Sequence, residues 1–89
     1  MDDQLLAMAY MGREAEDFCN SEIGKYLVGR AEQEEREALE ALSTVSTFRK
    51  NRIRELQNQV WRARSLQAWL GELITDGRMA LQQLESEDD

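Results

Sequence analysis

An all-α fold, built as a long antiparallel helical hairpin with coiled-coil-like packing, is what this sequence predicts, on three observations. Proline is absent and only 5 of 89 residues are glycine, while strong helix formers such as Glu, Gln, Ala, Leu and Arg dominate. The β-branched residues are scattered, with no alternating run long enough for a strand. A heptad pattern runs from Ile53 to Leu84. With Ile53 at position a, the a positions are Ile53, Val60, Gln67, Ile74 and Leu81, and the d positions are Leu56, Ala63, Leu70, Gly77 and Leu84. Eight of these ten are apolar, which is the signature of a helix that buries one seam against a partner.

The elements follow in order. Residues 4–19 read as a first helix, with Leu5, Ala9, Gly12 and Cys19 on one face. Asp2 and Asp3 stand where negative charge complements the helix dipole. Asn20 or Ser21 is a candidate N-cap for a second helix over 21–43. Its apolar stripe is Gly24, Leu27, Ala31, Ala38, Leu42 and Val45, interrupted at Glu34 and Glu35. These side chains are small, and small residues let two helix backbones come close. The hydroxyl-rich stretch 43–47 favours a turn over a helix interior, and Ser46 or Thr47 is placed to cap a third helix over 48–85. Residues 86–89 read as a disordered acidic tail.

Folding the chain at that turn sets Ala38 against Ile53, Ala31 against Val60 and Gly24 near Gln67, and it lays 5–19 opposite 72–86. A three-helix arrangement, with 4–19 folded back over Trp69, is the alternative. An 89-residue chain is one domain at most and has a thin core of its own. Assembly into a larger helical bundle would thicken it.

Net charge is −7, unevenly spread. Residues 48–78 carry seven bases and three acids, whereas every other segment is acidic. The basic run Arg49, Lys50, Arg52, Arg54, Arg62, Arg64 resembles a phosphate-binding patch. The hairpin register, however, places Glu37 and Glu40 beside Arg49–Arg54 and neutralises them. Direct nucleic-acid binding is therefore not expected.

Enzyme chemistry lacks its parts, so no catalytic residue is assigned. There is no histidine, and Cys19, the only cysteine, has no histidine to activate it. Metal-ligand spacing and Gly-rich phosphate loops are likewise missing, and no metal or cofactor is expected. The apolar run Leu5–Met11 is too short to span a bilayer, and the acidic start is unlike a secretory signal. The expectation is a cytoplasmic protein without membrane contact.

What stands out is an excess of apolar surface. Beyond the seam, and besides Ala80 on the same neighbouring stripe, the third helix carries Leu66, Trp69 and Leu73, with Trp61 further round, more than one facing helix covers. With Leu5, Met8 and Met11 of the first segment, these are the candidate interface residues for a second copy or another protein. The competing expectation is an acidic inhibitor that occupies a nucleic-acid-binding surface on a host protein.

The stretches YLVGRAEQEEREAL, from Tyr26 to Leu39, and IRELQNQVWRARSLQAWL, from Ile53 to Leu70, resemble small helical proteins of unknown function encoded by tailed bacteriophages and prophages. The likeness spans roughly residues 20–80. It implies a bacterial cytoplasm and a role in assembly, packaging or host interaction, and it carries over no functional residue.

Overall fold

The computed structural model describes residues 2–87, and the fold is all-α. It consists of α1 (Asp3–Asn20), α2 (Glu22–Thr44) and α3 (Lys50–Glu87), with no strand among the described residues. At ~1.5 Å per residue, α3 alone is about 57 Å long. It continues through Ser86 and Glu87, two residues into the expected tail; Asp88 and Asp89 lie outside the described residues. The chain forms two compact units. One comprises residues 1–25 with 68–89, the other 26–67.

In the first unit, Asp2 caps α1. Its Oδ1 accepts from the Gln4 and Leu5 N–H groups at 2.9 and 3.3 Å, satisfying donors that the first turn leaves orphaned. Ser21 ends α1 and starts α2. Its extended backbone (ψ 161°) breaks the helix, and its N–H donates to the Phe18 carbonyl at 3.0 Å. Its hydroxyl donates to that same carbonyl at 2.6 Å and accepts from the Gly24 N–H at 3.0 Å, the bond an N-cap makes to the third helical residue. Gly24 is buried because the Phe18 carbonyl occupies the place where a β-carbon would stand.

Packing of α1 on the C-terminal part of α3 centres on two glycines. A β-carbon on Gly12 would lie 2.7 Å from the Gly77 Cα and 2.7 Å from the Leu73 carbonyl oxygen. One on Gly77 would lie 2.6 Å from the Gly12 Cα. The backbones therefore touch directly, a contact only glycine permits. Ala15 and Ala80 are buried in this unit, and Glu16 accepts from Arg78 Nε at 2.7 Å.

In the second unit, α2 packs on the N-terminal part of α3. Ala38, Leu56 and Val60 form the buried cluster, with Ala41 and Leu42 against it. Partner numbers fall on α3 as they rise on α2: Glu35 meets Arg64 and Gln67, while Ala38 meets Leu56 and Val60. The two segments thus run antiparallel. The register differs from the one the sequence suggested, since Ala38 clusters with Leu56 and Val60 in place of Ile53. The cause lies in the turn. Ser46 does not cap α3; its hydroxyl accepts from the Phe48 N–H at 3.3 Å inside the loop, and α3 begins only at Lys50, with the Arg49 carbonyl accepting from Ile53. A later start shifts every pairing along α3.

Candidate functional site

The heptad seam of α3 is largely the buried side. Leu56, Val60, Ala63 and Gly77 are buried, and Ile53, Gln67, Leu70, Ile74 and Leu84 are half-buried. Leu81 departs from it, at 50% exposure, while Ala80 is buried.

The charged residues that interrupt the α2 stripe have a use. Glu34 pairs with Arg62 at 3.6 Å and Glu35 with Arg64 at 2.6 Å. Gln59 and Gln67 add hydrogen bonds to the Glu34 carbonyl and the Glu35 carboxylate. These contacts flank the seam and fix its register, although each exposed pair contributes only ~0.2–1 kcal/mol. The expected pairing of Glu37 and Glu40 with Arg49–Arg54 does not form. Glu37 accepts from Gln33 on its own helix, and Arg52 pairs with Glu55. Beside Glu34, the Arg30 guanidinium lies against the Tyr26 hydroxyl, which holds its pKa above the ordinary arginine value with a smaller contribution from Glu34.

The large apolar side chains are mostly outside. No large side chain is fully buried among the described residues, and the core is mainly alanine with Leu56 and Val60. Of the candidate interface residues, Trp61 is 68% exposed and Trp69 60%, while Met8, Met11 and Leu73 are exposed too. Leu5 and Leu66 are half-buried. Trp69 belongs to the same unit as α1, yet α1 does not cover it. At the glycine crossing the Met8 carbonyl oxygen lies against Gly77 and the Leu73 carbonyl oxygen against Gly12.

Beside that crossing lies a groove of about 410 Å³, with Leu6, Ala9, Tyr10, Ile74 and Leu81 along it and Arg13, Glu16 and Arg78 at its edge. Sequence reasoning placed Leu81 in the seam and so missed its part in the groove. It also passed over Phe48, which is 92% exposed at the turn. Its position between a hydroxyl-rich loop and a basic run was the available signal.

Among the described residues no group of three or more His, Cys, Asp or Glu is arranged to hold a metal ion, and no helix is long and apolar enough to cross a membrane. No protein-family model matches the chain, and neither a curated protein nor a solved structure is significantly similar to it.

Proposed function

We propose that this chain is a non-catalytic interaction or assembly protein: a helical hairpin with coiled-coil-like packing that self-associates into a larger bundle through the exposed apolar face of α3. The observation that supports this reading is the inversion of side-chain size. Alanine and glycine fill the interior, while Trp61 and Trp69 face outward. A core so thin stabilises a chain of this size poorly, and a second copy covering Trp61 or Trp69 would bury surface the monomer leaves wet. Tryptophan is also the residue most enriched where interface energy concentrates. A cytoplasmic phage or prophage setting is proposed on the sequence resemblance alone.

Sedimentation at micromolar to ~100 µM concentration tests the proposal at affinities down to about −5.5 kcal/mol. The expected result is an oligomer that shifts toward monomer in a Trp61→Ala/Trp69→Ala variant, with the tryptophans becoming shielded from acrylamide as the parent chain assembles. A parent chain that stays monomeric throughout, its tryptophans freely quenched, would remove self-association.

A second reading is favoured by the charge distribution. Residues 1–25 and 68–89 together hold twelve of the eighteen acids and three of the eleven bases. Such a unit suits an acidic inhibitor that occupies the basic surface of a nucleic-acid-binding protein. That interaction would weaken steeply with added salt.

A further inference from the structure

We propose that the turn between α2 and α3 is a peripheral docking tip for the surface of a bilayer containing anionic phospholipid. The sequence argument against a polyanion partner rested on Glu37 and Glu40 neutralising Arg49–Arg54, and the structure does not form those pairs. From residue 41 to residue 54 there are four cations, Arg49, Lys50, Arg52 and Arg54, and no acid. Arg52 reaches Glu55; among the described residues, Arg49, Lys50 and Arg54 have no carboxylate within salt-bridge range. All four are exposed. At about 3.6 residues per turn Lys50 and Arg54, four apart, share one side of the helix start, and Arg49 and Arg52, three apart, share another, so the cations cover two sides and not a single stripe. Immediately before them Phe48 is 92% exposed, more than any other large apolar side chain of the chain's described residues.

Helix ends favour acids in the first turn, and α3 has none there; three bases in and beside that turn oppose the dipole. A locally unfavourable pattern of this kind is expected where function, and not stability, chose the residues. Charge and composition select the occupant. A single exposed aromatic next to four exposed cations, three of them without a carboxylate partner among the described residues, matches an interface in which the ring enters the headgroup region and the cations meet the phosphates. A nucleic-acid strand calls for cations in a track and several aromatic faces along it. The chain's net charge of −7 does not prevent such docking, because charges beyond about 8 Å at physiological salt, and about 14 Å at ~50 mM, are largely screened. The acids to consider on α2 are Glu37 and Glu40, of which Glu37 is bonded to Gln33. Along α3, Glu55 is held by Arg52 and the next acid, Glu72, follows about 25 Å further on.

Co-sedimentation of the full chain with vesicles tests this, using phosphatidylcholine alone and phosphatidylcholine with about one-third phosphatidylserine, at ~50 and ~300 mM salt. The chain is expected to pellet with the phosphatidylserine vesicles at low salt, weakly at high salt, and not with phosphatidylcholine. Each cation near such a surface is worth about fivefold in partitioning, so Arg49→Gln/Lys50→Gln should lose about 25-fold. Phe48→Ala should lose a smaller factor at both salt concentrations. These side chains are outside the core, and circular dichroism verifies that the variants remain helical. Equal pelleting with both vesicle types, no pelleting with either, or a double variant that pellets like the parent overturns the proposal. So does a chain that ignores vesicles and binds an oligonucleotide. None of these readouts involves Trp61 or Trp69, so this proposal and self-association stand or fall separately.

Discussion

Replacing Gly77 by alanine is expected to destabilise the fold by about 1–3 kcal/mol, against the usual sign for that substitution in a helix. Gly→Ala within an α-helix ordinarily gains about 1 kcal/mol, because glycine is the more costly residue to order. Here the added β-carbon would sit 2.6 Å from the Gly12 Cα and 3.0 Å from the Met8 carbonyl oxygen. Backbone cannot move aside as a flexible side chain can, so the helices must separate, and overpacking of this kind costs ~1–3 kcal/mol. Gly12→Ala meets the same obstacle from the other side. The two changes should not add, since helices already parted by the first substitution accommodate the second at less cost. Gly29 and Gly71 are the controls: a β-carbon there meets nothing within 4 Å, so Gly29→Ala and Gly71→Ala should each raise stability by roughly 0.5–1 kcal/mol. Thermal unfolding of the four single variants and the Gly12/Gly77 double variant checks the set. If Gly77→Ala melts above the parent, the close crossing is not present in solution.

The second large effect is expected at Leu56. It is 2% exposed and is the largest side chain in the cluster with Ala38 and Val60. Truncation to alanine removes the transfer free energy of its methyl groups and leaves a cavity that alanine neighbours cannot refill, for a cost of about 2–5 kcal/mol. That is a large fraction of the ~5–15 kcal/mol typical of a small domain. Leu39, at 43% exposure on α2, provides the comparison, and Leu39→Ala should cost well under half as much. Urea unfolding of both variants, with the slope held to the parent value, measures the difference. Equal losses at the two positions would mean that α2 packs on α3 through another face.

Much of this architecture could be read from local signals. The heptad seam was legible because helix periodicity is local, and residues seven apart must share a face whatever they pack against. A cap at Asn20 or Ser21 was legible because capping is local; the structure uses Ser21, whose hydroxyl accepts from the Gly24 N–H three residues on, while Asn20 ends α1. The glycine crossing was not. Gly12 looked like any small residue on a helical stripe, and only its position opposite Gly77 turns it into a backbone contact. The charge pairs were misassigned for a related reason. Their partners depend on where α3 begins, and Ser46 uses its hydroxyl within the loop, so α3 begins at Lys50 and each base meets a different acid. The exposed Phe48 fell between elements, where periodicity offers no information.

Composition and periodicity by themselves therefore determined that this chain is helical and which side of α3, as far as Gly77, is largely buried. Those properties follow from backbone propensity and from side chains a few residues apart. The tertiary structure alone decided that Glu34 and Glu35, and not Glu37 and Glu40, meet the basic run, at Arg62 and Arg64. It also decided that Gly12 and Gly77 touch, and that Arg49, Lys50 and Arg54, near an exposed Phe48, have no carboxylate partner among the described residues. Register between helices is set jointly by where the turn closes and by how side chains far apart in sequence interlock, and a shift of one turn, costing nothing in local propensity, exchanges every partner across the seam.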